Sequence, residues 1–506
     1  MVKKLYPAII VAVSMFFIAC SSFLDIDPKN FMSSSTYFET EEDFEQAVNA
    51  TYAQLRTVYN SAYIMGEMRS DNSHYIFNNS NRGNLVREEI SDFIDNPTAE
   101  PVHEKWQGNY KVIAYANEVI SRIDAASFDE EKKNNLKGQV RFLRAFAYFD
   151  LVQYFGGVPL VVEPTGGSAD DILQGQATLP RSDAEEIYAQ ILSDAAIARD
   201  LLPSKSNQER GRATVGAANM LLANVHTVLE NWEQAEGYLM DIVNSAEYNL
   251  LPDYTNVFDP VNKNNAESIF EIQYIEGNIG LQSVFSYVFL PNLVDLTPIA
   301  GFRFNNQSIG GWNIPSDDLI SAYEDGDGRR AASVVDGYND GGNFVAQPFT
   351  KKYFYTPLAA PNGSSANGNN NWPVYRYAET LLLLAECLNE QNKDGADIYL
   401  NRVRDRAFGD GEASIPSLGQ SLMREAIAKE RRIELAFENK RWLDLVRTGK
   451  AIEVINAYGT DLKASGKHPN LLPQTYQVNE NRLLFPIPFD EVKLNPKLTQ
   501  NPGYTQ

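Results

Sequence analysis

The chain has 506 residues, 43% hydrophobic and 22% charged, a composition that suits a folded body and excludes a disordered one. Its formal net charge of −22 opposes nucleic acid and anionic polymers at long range. Cysteine occurs only at Cys20 and Cys387, which excludes an intramolecular disulfide framework once Cys20 is assigned elsewhere.

The first segment, MVKKLYPAIIVAVSMFFIAC, has a basic start at Lys3 and Lys4 and an apolar run from Leu5 to Ile18, and closes on Ala19-Cys20. That is the form of a lipoprotein signal peptide, too short for a lasting transmembrane helix. Cleavage before Cys20 leaves that cysteine to be acylated, so a soluble body hangs from a membrane by lipid. Phe17 stands where Leu is usual, and an ordinary secretory peptide is the alternative. Losing Lys3 and Lys4 moves the formal charge from −22 to −24. The expected organisation is a signal peptide over 1–19 and a single domain over 20–506. That domain divides into an N-terminal part (20–248), a loop-rich part (249–373) and a C-terminal helical part (374–506).

After an irregular tether, Phe44, Val48, Tyr52 and Leu55 lie near one face of a helix spanning Glu41 to Asn60. Met65 to Pro101 reads as loop, rich in Asn, Ser and Asp. Trp106, Tyr110, Ile113, Asn117 and Ile120 mark another helix, and Val140 to Tyr154 a third, stopped at Gly156-Gly157. Ser182 with Glu185 predicts a capping box.

Two stretches share one grammar. Ala217, Leu221, Val225 and Val228 face Ala235, Leu239 and Ile242 across a turn at Asn231-Trp232. Ala378, Leu381, Ala385 and Leu388 face Ala396, Leu400 and Val403 in the same way. Paired helices with small residues at the crossing look like degenerate tetratricopeptide units, which stack into a curved scaffold. Cys387, inside the second stretch, reads as an inert buried thiol. Between them, Asn249 to Trp372 is rich in Asn, Gly, Pro and aromatics. It predicts short strands and a flexible loop at Asn362–Asn371. The proline-rich C-terminal stretch predicts extended chain.

No catalytic constellation emerges. Glu430, Glu434 and Glu438 share a helix face, but Arg431, Arg432 and Arg441 interleave with them, the pattern of an ion-pair network. Asp325-Gly326-Asp327-Gly328 reads as a turn, because no Glu stands at the twelfth position of a calcium loop. His74, His103, His226 and His468 are scattered without metal-ligand spacing. Neither a metal nor a cofactor is expected.

Seven motifs in order carry a resemblance. They are Cys20 with Phe23-Leu24-Asp25; Tyr154-Phe155-Gly156-Gly157-Val158-Pro159-Leu160; Gly211-Arg212-Ala213-Thr214; Arg376-Tyr377-Ala378-Glu379 with Leu383-Leu384-Ala385-Glu386; Asn401-Arg402-Val403-Arg404; Glu430 to Glu438 with Arg441-Trp442 and Asp444-Leu445; and Phe485-Pro486-Ile487-Pro488 with Glu491 and Asn501-Pro502-Gly503-Tyr504. Together the chain resembles the SusD/RagB family of Bacteroidetes outer-membrane lipoproteins. The resemblance implies a mainly α fold: a scaffold of about four tetratricopeptide-like helical pairs, with an irregular loop-rich ligand-binding region and a few short strands. It implies a surface-exposed outer-membrane lipoprotein, anchored through lipid at Cys20. Such a protein captures glycan without catalysis and delivers it to a SusC-like, TonB-dependent transporter barrel. The alternative is peptide import of the RagB type.

Glycan recognition needs aromatic faces and planar hydrogen-bonding side chains. Two loops offer both. The first is Arg69, Asp71, Asn72 and Tyr75 with Phe77, Asn81 and Arg82; the second is Arg303, Phe304 and Asn305 with Trp312. Trp312, after Gly310-Gly311, is the foremost candidate. Trp106, Trp232 and Trp442 sit on helix faces as packing residues, and Trp372 is open to either role.

Overall fold

A computed structural model describes residues 38–79, 85–164, 179–277, 279–355, 366–409, 411 and 413–505. The signal peptide, Cys20, Asn81 and Arg82 lie outside the described residues.

Side-chain caps set some of the helix starts. Thr40 and Asp43 form a reciprocal capping box at the head of α1 (Glu41–Tyr59), which buries Phe44, Val48, Leu55 and Val58. Next come α2 (Glu100–Ile123) and α3 (Glu130–Phe155). The α3 helix ends where Gly156 adopts φ +73°, a conformation that favours glycine. After it comes α4 (Ala184–Leu201). A Cβ on Gly157 would meet the Ser182 carbonyl oxygen at 2.3 Å. The predicted Ser182 capping box does not form. Asp183 is the N-cap, without a side-chain cap bond, and the Ser182 N–H donates instead to Val158 O at 3.0 Å. Thr214 caps α5 (Val215–Val228), which pairs with α6 (Trp232–Asn244). In the C-terminal part, α7 (Tyr377–Glu390) pairs with α8 (Ala396–Phe408), followed by α9 (Gln420–Glu434), α10 (Arg441–Arg447) and α11 (Ala451–Ala464).

The first eight of these helices stack as four pairs: α1 with α2, α3 with α4, α5 with α6, and α7 with α8. Each pair also packs on the next. Ala217, Ala218, Ala235, Ala378, Ala385 and Ala396 are buried at the crossings, where small side chains let backbones approach. No described helix is long and apolar enough to cross a membrane.

The expected loop from Met65 to Pro101 begins in the end of a short helix, Ala62–Gly66, and contains another, Leu85–Ser91. The C-terminal stretch likewise holds a short helix at Phe489–Leu494. The strands are all in two-stranded antiparallel ladders: β1 (Ser73–His74) with β3 (Ile314–Pro315), β2 (Ser268–Ile272) with β8 (Trp372–Arg376), β4 (Val334–Val335) with β7 (Phe349–Thr350), and the hairpin β5–β6 (Tyr338–Asp340, Asn343–Val345). Trp372 is fully buried against Tyr353 and Phe285, so it is core. The described end of the asparagine-rich loop is ordered by its own amides. Asn371 donates to Glu271 at 2.8 Å and accepts from the Tyr274 N–H at 2.8 Å.

One buried charge network joins the helical body to the loop-rich region. Arg376, at the end of β8, binds Glu267 at 2.5 Å, Glu434 at 2.9 Å and Glu438 at 2.7 Å. Arg406 reaches Glu434 at 2.5 Å and Glu267 at 3.2 Å. Arg329 binds Asp327 at 2.7 Å, Glu430 at 2.5 Å and Glu434 at 3.1 Å. Arg404 reaches Glu430 and Lys352 reaches Glu438, both at 2.8 Å. Every one of these side chains is buried. Such charges persist out of water only because each has opposite charges and hydrogen bonds around it. Burial alone would raise the Glu434 carboxyl, but Arg406, Arg376 and Arg329 hold it well below the usual carboxylate range. Asp327 also caps the short helix Gly328–Ser333, so the acidic turn ahead of it serves this network.

Candidate functional site

The Ser73–His74 and Ile314–Pro315 ladder brings two distant loops edge to edge, and the Ile76 N–H extends it by donating to Gly311 O at 2.8 Å. Against that ladder pack the short helix Asp317–Ala322, the end of α11, the turn before Pro469, and residues 346–348 after the hairpin. Between them opens a cavity of about 880 Å³. That size falls within the range of small-ligand sites.

Its wall is ring-bearing: His74, Tyr75, Phe77, Tyr458 and His468 all line it. Its rim is polar and exposed, with Asp317, Asp318, Ser321, Asp461 and Lys467. Lys467 pairs with Asp317 across the rim, and Arg432 holds Asp318 at 2.5 Å. Behind the wall, Tyr75 donates its hydroxyl to Asp92 at 2.9 Å and receives the Asn470 amide at 2.5 Å. His74 and His468 meet edge to face, with ring centroids 4.3 Å apart. His74 Nδ1 lies 3.3 Å from the Tyr476 hydroxyl, and its Nε2 has no hydrogen-bond partner among the described residues. Burial, then the neighbouring His468, pushes the His74 imidazole well below its ordinary pKa; burial also lowers His468. Both rings are therefore neutral at neutral pH. Flat rings below and hydroxyl-binding groups above suit a neutral polyhydroxylated ligand.

The structure divides the loop residues singled out above. Arg69 is corrected to a core residue: it is 0% exposed, ion-paired to Asp95 at 2.6 Å, and enclosed by the rings of Phe93, Trp442 and Phe485. Asp71 is buried between Arg441 at 2.8 Å and Arg432 at 2.9 Å, so its carboxylate is also committed. Asn72 is buried too, donating to Glu67 at 3.0 Å and accepting from Arg432 at 2.9 Å. Glu67 in turn accepts the N–H groups of Phe437 at 2.7 Å and Asn439 at 3.0 Å, and so pins a loop in which both residues adopt positive φ. Phe304 is buried edge-on to Tyr287, and neighbouring Asn306 is sealed by carbonyls of Tyr287 and Pro291. Polar loops of this kind are anchored by their polar side chains, because buried backbone turns need partners.

Tyr75 and Phe77 do line the cavity. Trp312 is half-buried one ring further back, 6.0 Å from Tyr75 and under the Arg87 guanidinium at 5.3 Å. Arg303, 86% exposed, faces solvent near Asp295, and Asn305 is exposed beside it. Sequence reasoning did not assign Ile76, Gln347, Tyr458 or His468 to a site. They come from separate segments, which no local pattern in the sequence links.

Stacked helix pairs carrying an irregular insertion with an open, ring-lined cleft define a helical binding scaffold. The chain belongs to the SusD family: residues 336–504 match the SusD family, and residues 22–227 match a family described as starch-binding associating with outer membrane. It is 30% identical over 531 positions to SusD-like protein P25 of Formosa agariphila, covering 96% of this chain and 97% of that protein. Its fold is similar to that of surface glycan-binding protein A from Bacteroides fluxus, with a TM-score of 0.77 and 25% identity over 92% of this chain and 100% of the other. A laminarin binding SusD-like protein aligns with a TM-score of 0.74 and 26% identity, again covering 92% and 100%.

Proposed function

We propose that this chain is a lipid-anchored outer-membrane protein that captures neutral glucan oligosaccharides at the cell exterior and delivers them to a TonB-dependent transporter barrel. The observation that carries the reading is the cleft of about 880 Å³, with its ring-bearing wall and hydroxyl-binding rim. The names of the structural relatives support a glycan, and among glycans a laminarin-type β-glucan. The acidic body argues against polyanionic glycans at this cleft, whose exposed rim carries Asp317, Asp318 and Asp461. A binding role is supported by the names of the structural relatives, which describe glycan-binding and laminarin-binding proteins.

The test is calorimetry on residues 21–506, with laminarin oligosaccharides, other neutral glucans and mixed peptides. A laminarin oligosaccharide is expected to bind. Trp312→Ala, which removes the support behind Tyr75, is expected to weaken binding about tenfold with Tm shifted by no more than about 3 °C. Binding of peptides alone would replace this reading with peptide import. A Trp312→Ala protein that loses its cooperative melt would assign Trp312 to packing.

A further inference from the structure

A second cavity lies away from the ring-lined cleft, where α1 meets the turn Glu209–Arg212 and β2. It encloses about 330 Å³ and is lined by Tyr52, Arg56, Glu209, Arg210, Arg212 and Glu271, among others. Its charge runs against that of the molecule: three guanidinium groups face two carboxylates on a chain of net charge −22.

Both carboxylates already have partners. Glu209 accepts from Arg212 at 3.2 Å. Glu271 accepts from the Asn264 N–H at 3.1 Å and from the Asn371 amide at 2.8 Å. The arginines are less well matched. Arg212 also lies over the Tyr52 ring at 5.3 Å. Arg210 donates to a neutral acceptor, the Lys263 carbonyl, at 2.7 Å. Arg56 is half-buried, and its guanidinium has no ion pair or hydrogen bond among the described residues. Burial, with only Tyr274 to offset it, lowers the Arg56 pKa. A half-buried guanidinium with no ion pair keeps its donors free for an incoming anion. The turn between the arginines is itself shaped for close approach: Gly211 has φ +87°, and an added Cβ would meet Gln273 at 2.9 Å.

We infer that this pocket is a binding site for a small carboxylate of about hexuronate size, with the carboxylate between Arg56 and Arg210. A planar carboxylate matches the guanidinium fork, and opposite charge supplies what Arg56 lacks. Tyr52 lines the pocket beside them. The inference does not depend on the glucan reading, since the two cavities share no lining residue.

The experiment is a ligand-observed NMR titration of residues 21–506 with glucuronate, glucose as the neutral control and a glucuronate-terminated disaccharide. Glucuronate is expected to bind with Kd of about a few millimolar, and Arg56→Gln or Arg210→Gln to weaken it at least about tenfold. Raising salt weakens it further, and Trp312→Ala leaves it unchanged. Binding of the monosaccharide but not the disaccharide assigns the site to a free uronate; binding of both assigns it to a chain end. Exposed Arg210 carries the test if Arg56→Gln lowers Tm. Glucuronate held no more tightly than glucose, or held equally by both arginine variants, overturns the proposal.

Discussion

The charge network around Glu434 and the cleft around His74 are both built from distant segments, yet they treat polar groups in opposite ways. In the network, Glu267, Asp327, Glu430, Glu434 and Glu438 are each met by a guanidinium or ammonium group. In the cleft, a buried imidazole keeps one ring nitrogen without a partner among the described residues, and carboxylates crowd the open rim. The network locks β8, α8 and α9 into one relation, with its charges buried against one another. The cleft leaves hydrogen-bonding capacity open, which is what a binding surface requires. On the proposed function, rigidity and recognition are separated in space, since the network and the cleft share no residue.

The largest expected effect tests the locked side. Glu434→Gln removes a negative charge that three arginines share and leaves positive charge buried without full compensation. Breaking such a group costs about 3–5 kcal/mol. Chemical denaturation should show that loss, while the folded fraction still binds the same glycan with the same affinity. A loss of affinity without a loss of stability would reverse the division of labour.

The division was only partly legible in the sequence. The four-residue spacing of Glu430, Glu434 and Glu438 announced ion pairing, but the neighbouring arginines are not the partners. Arg431 goes to Asp444, and Arg432 and Arg441 go to Asp71. The true partners, Arg329, Arg376 and Arg406, arrive from other elements, and periodicity carries no information about that. Helix pairing was readable because alanine spacing on one face is a local signal. Arg69 misled for a related reason. A loop rich in Ser, Asp and Asn looks the same whether its arginine faces water or lies among Phe93, Trp442 and Phe485. Cys387 was readable in full: it lies inside an apolar run, it is buried, and burial pushes its thiol up to about 12.

A second, smaller effect tests the open side through pH. The buried His74 ring resists protonation in the folded state, whereas the unfolded chain takes up that proton near pH 6.5. The unfolded state therefore binds more protons below that pH. The His74 contribution is intact above about pH 6.5 and is lost below it, by about 1.4 kcal/mol per pH unit for one group. Glu67 runs the other way: burial raises its carboxyl to about 7, so its contribution falls as pH rises from about 4.5 to 7. The wild-type curve sums the two. The difference between wild type and His74→Gln isolates the histidine, and urea midpoints from pH 5 to 8 should diverge only on the acid side. Parallel curves would mean that His74 takes up its proton as readily in the fold as in the unfolded chain, and that the cleft is more polar than its burial implies.

The smallest expected effect marks where the locked region ends. The β5–β6 hairpin turns through Gly341 and Gly342, both at positive φ, a geometry that suits tight hairpins. It presents Phe344 at 60% exposure, close to the stretch 346–348 that lines the cleft. An exposed ring has little transfer energy left to lose, so Phe344→Ala should change stability by less than about 0.5 kcal/mol. Thermal melts set that bound, and the same protein titrated with glucan reports on the cleft's outer edge. Weaker glucan binding with an unchanged melt extends the recognition surface onto the hairpin. A melt shifted as far as that of a core truncation would instead place Phe344 in the packed body and move the boundary outward.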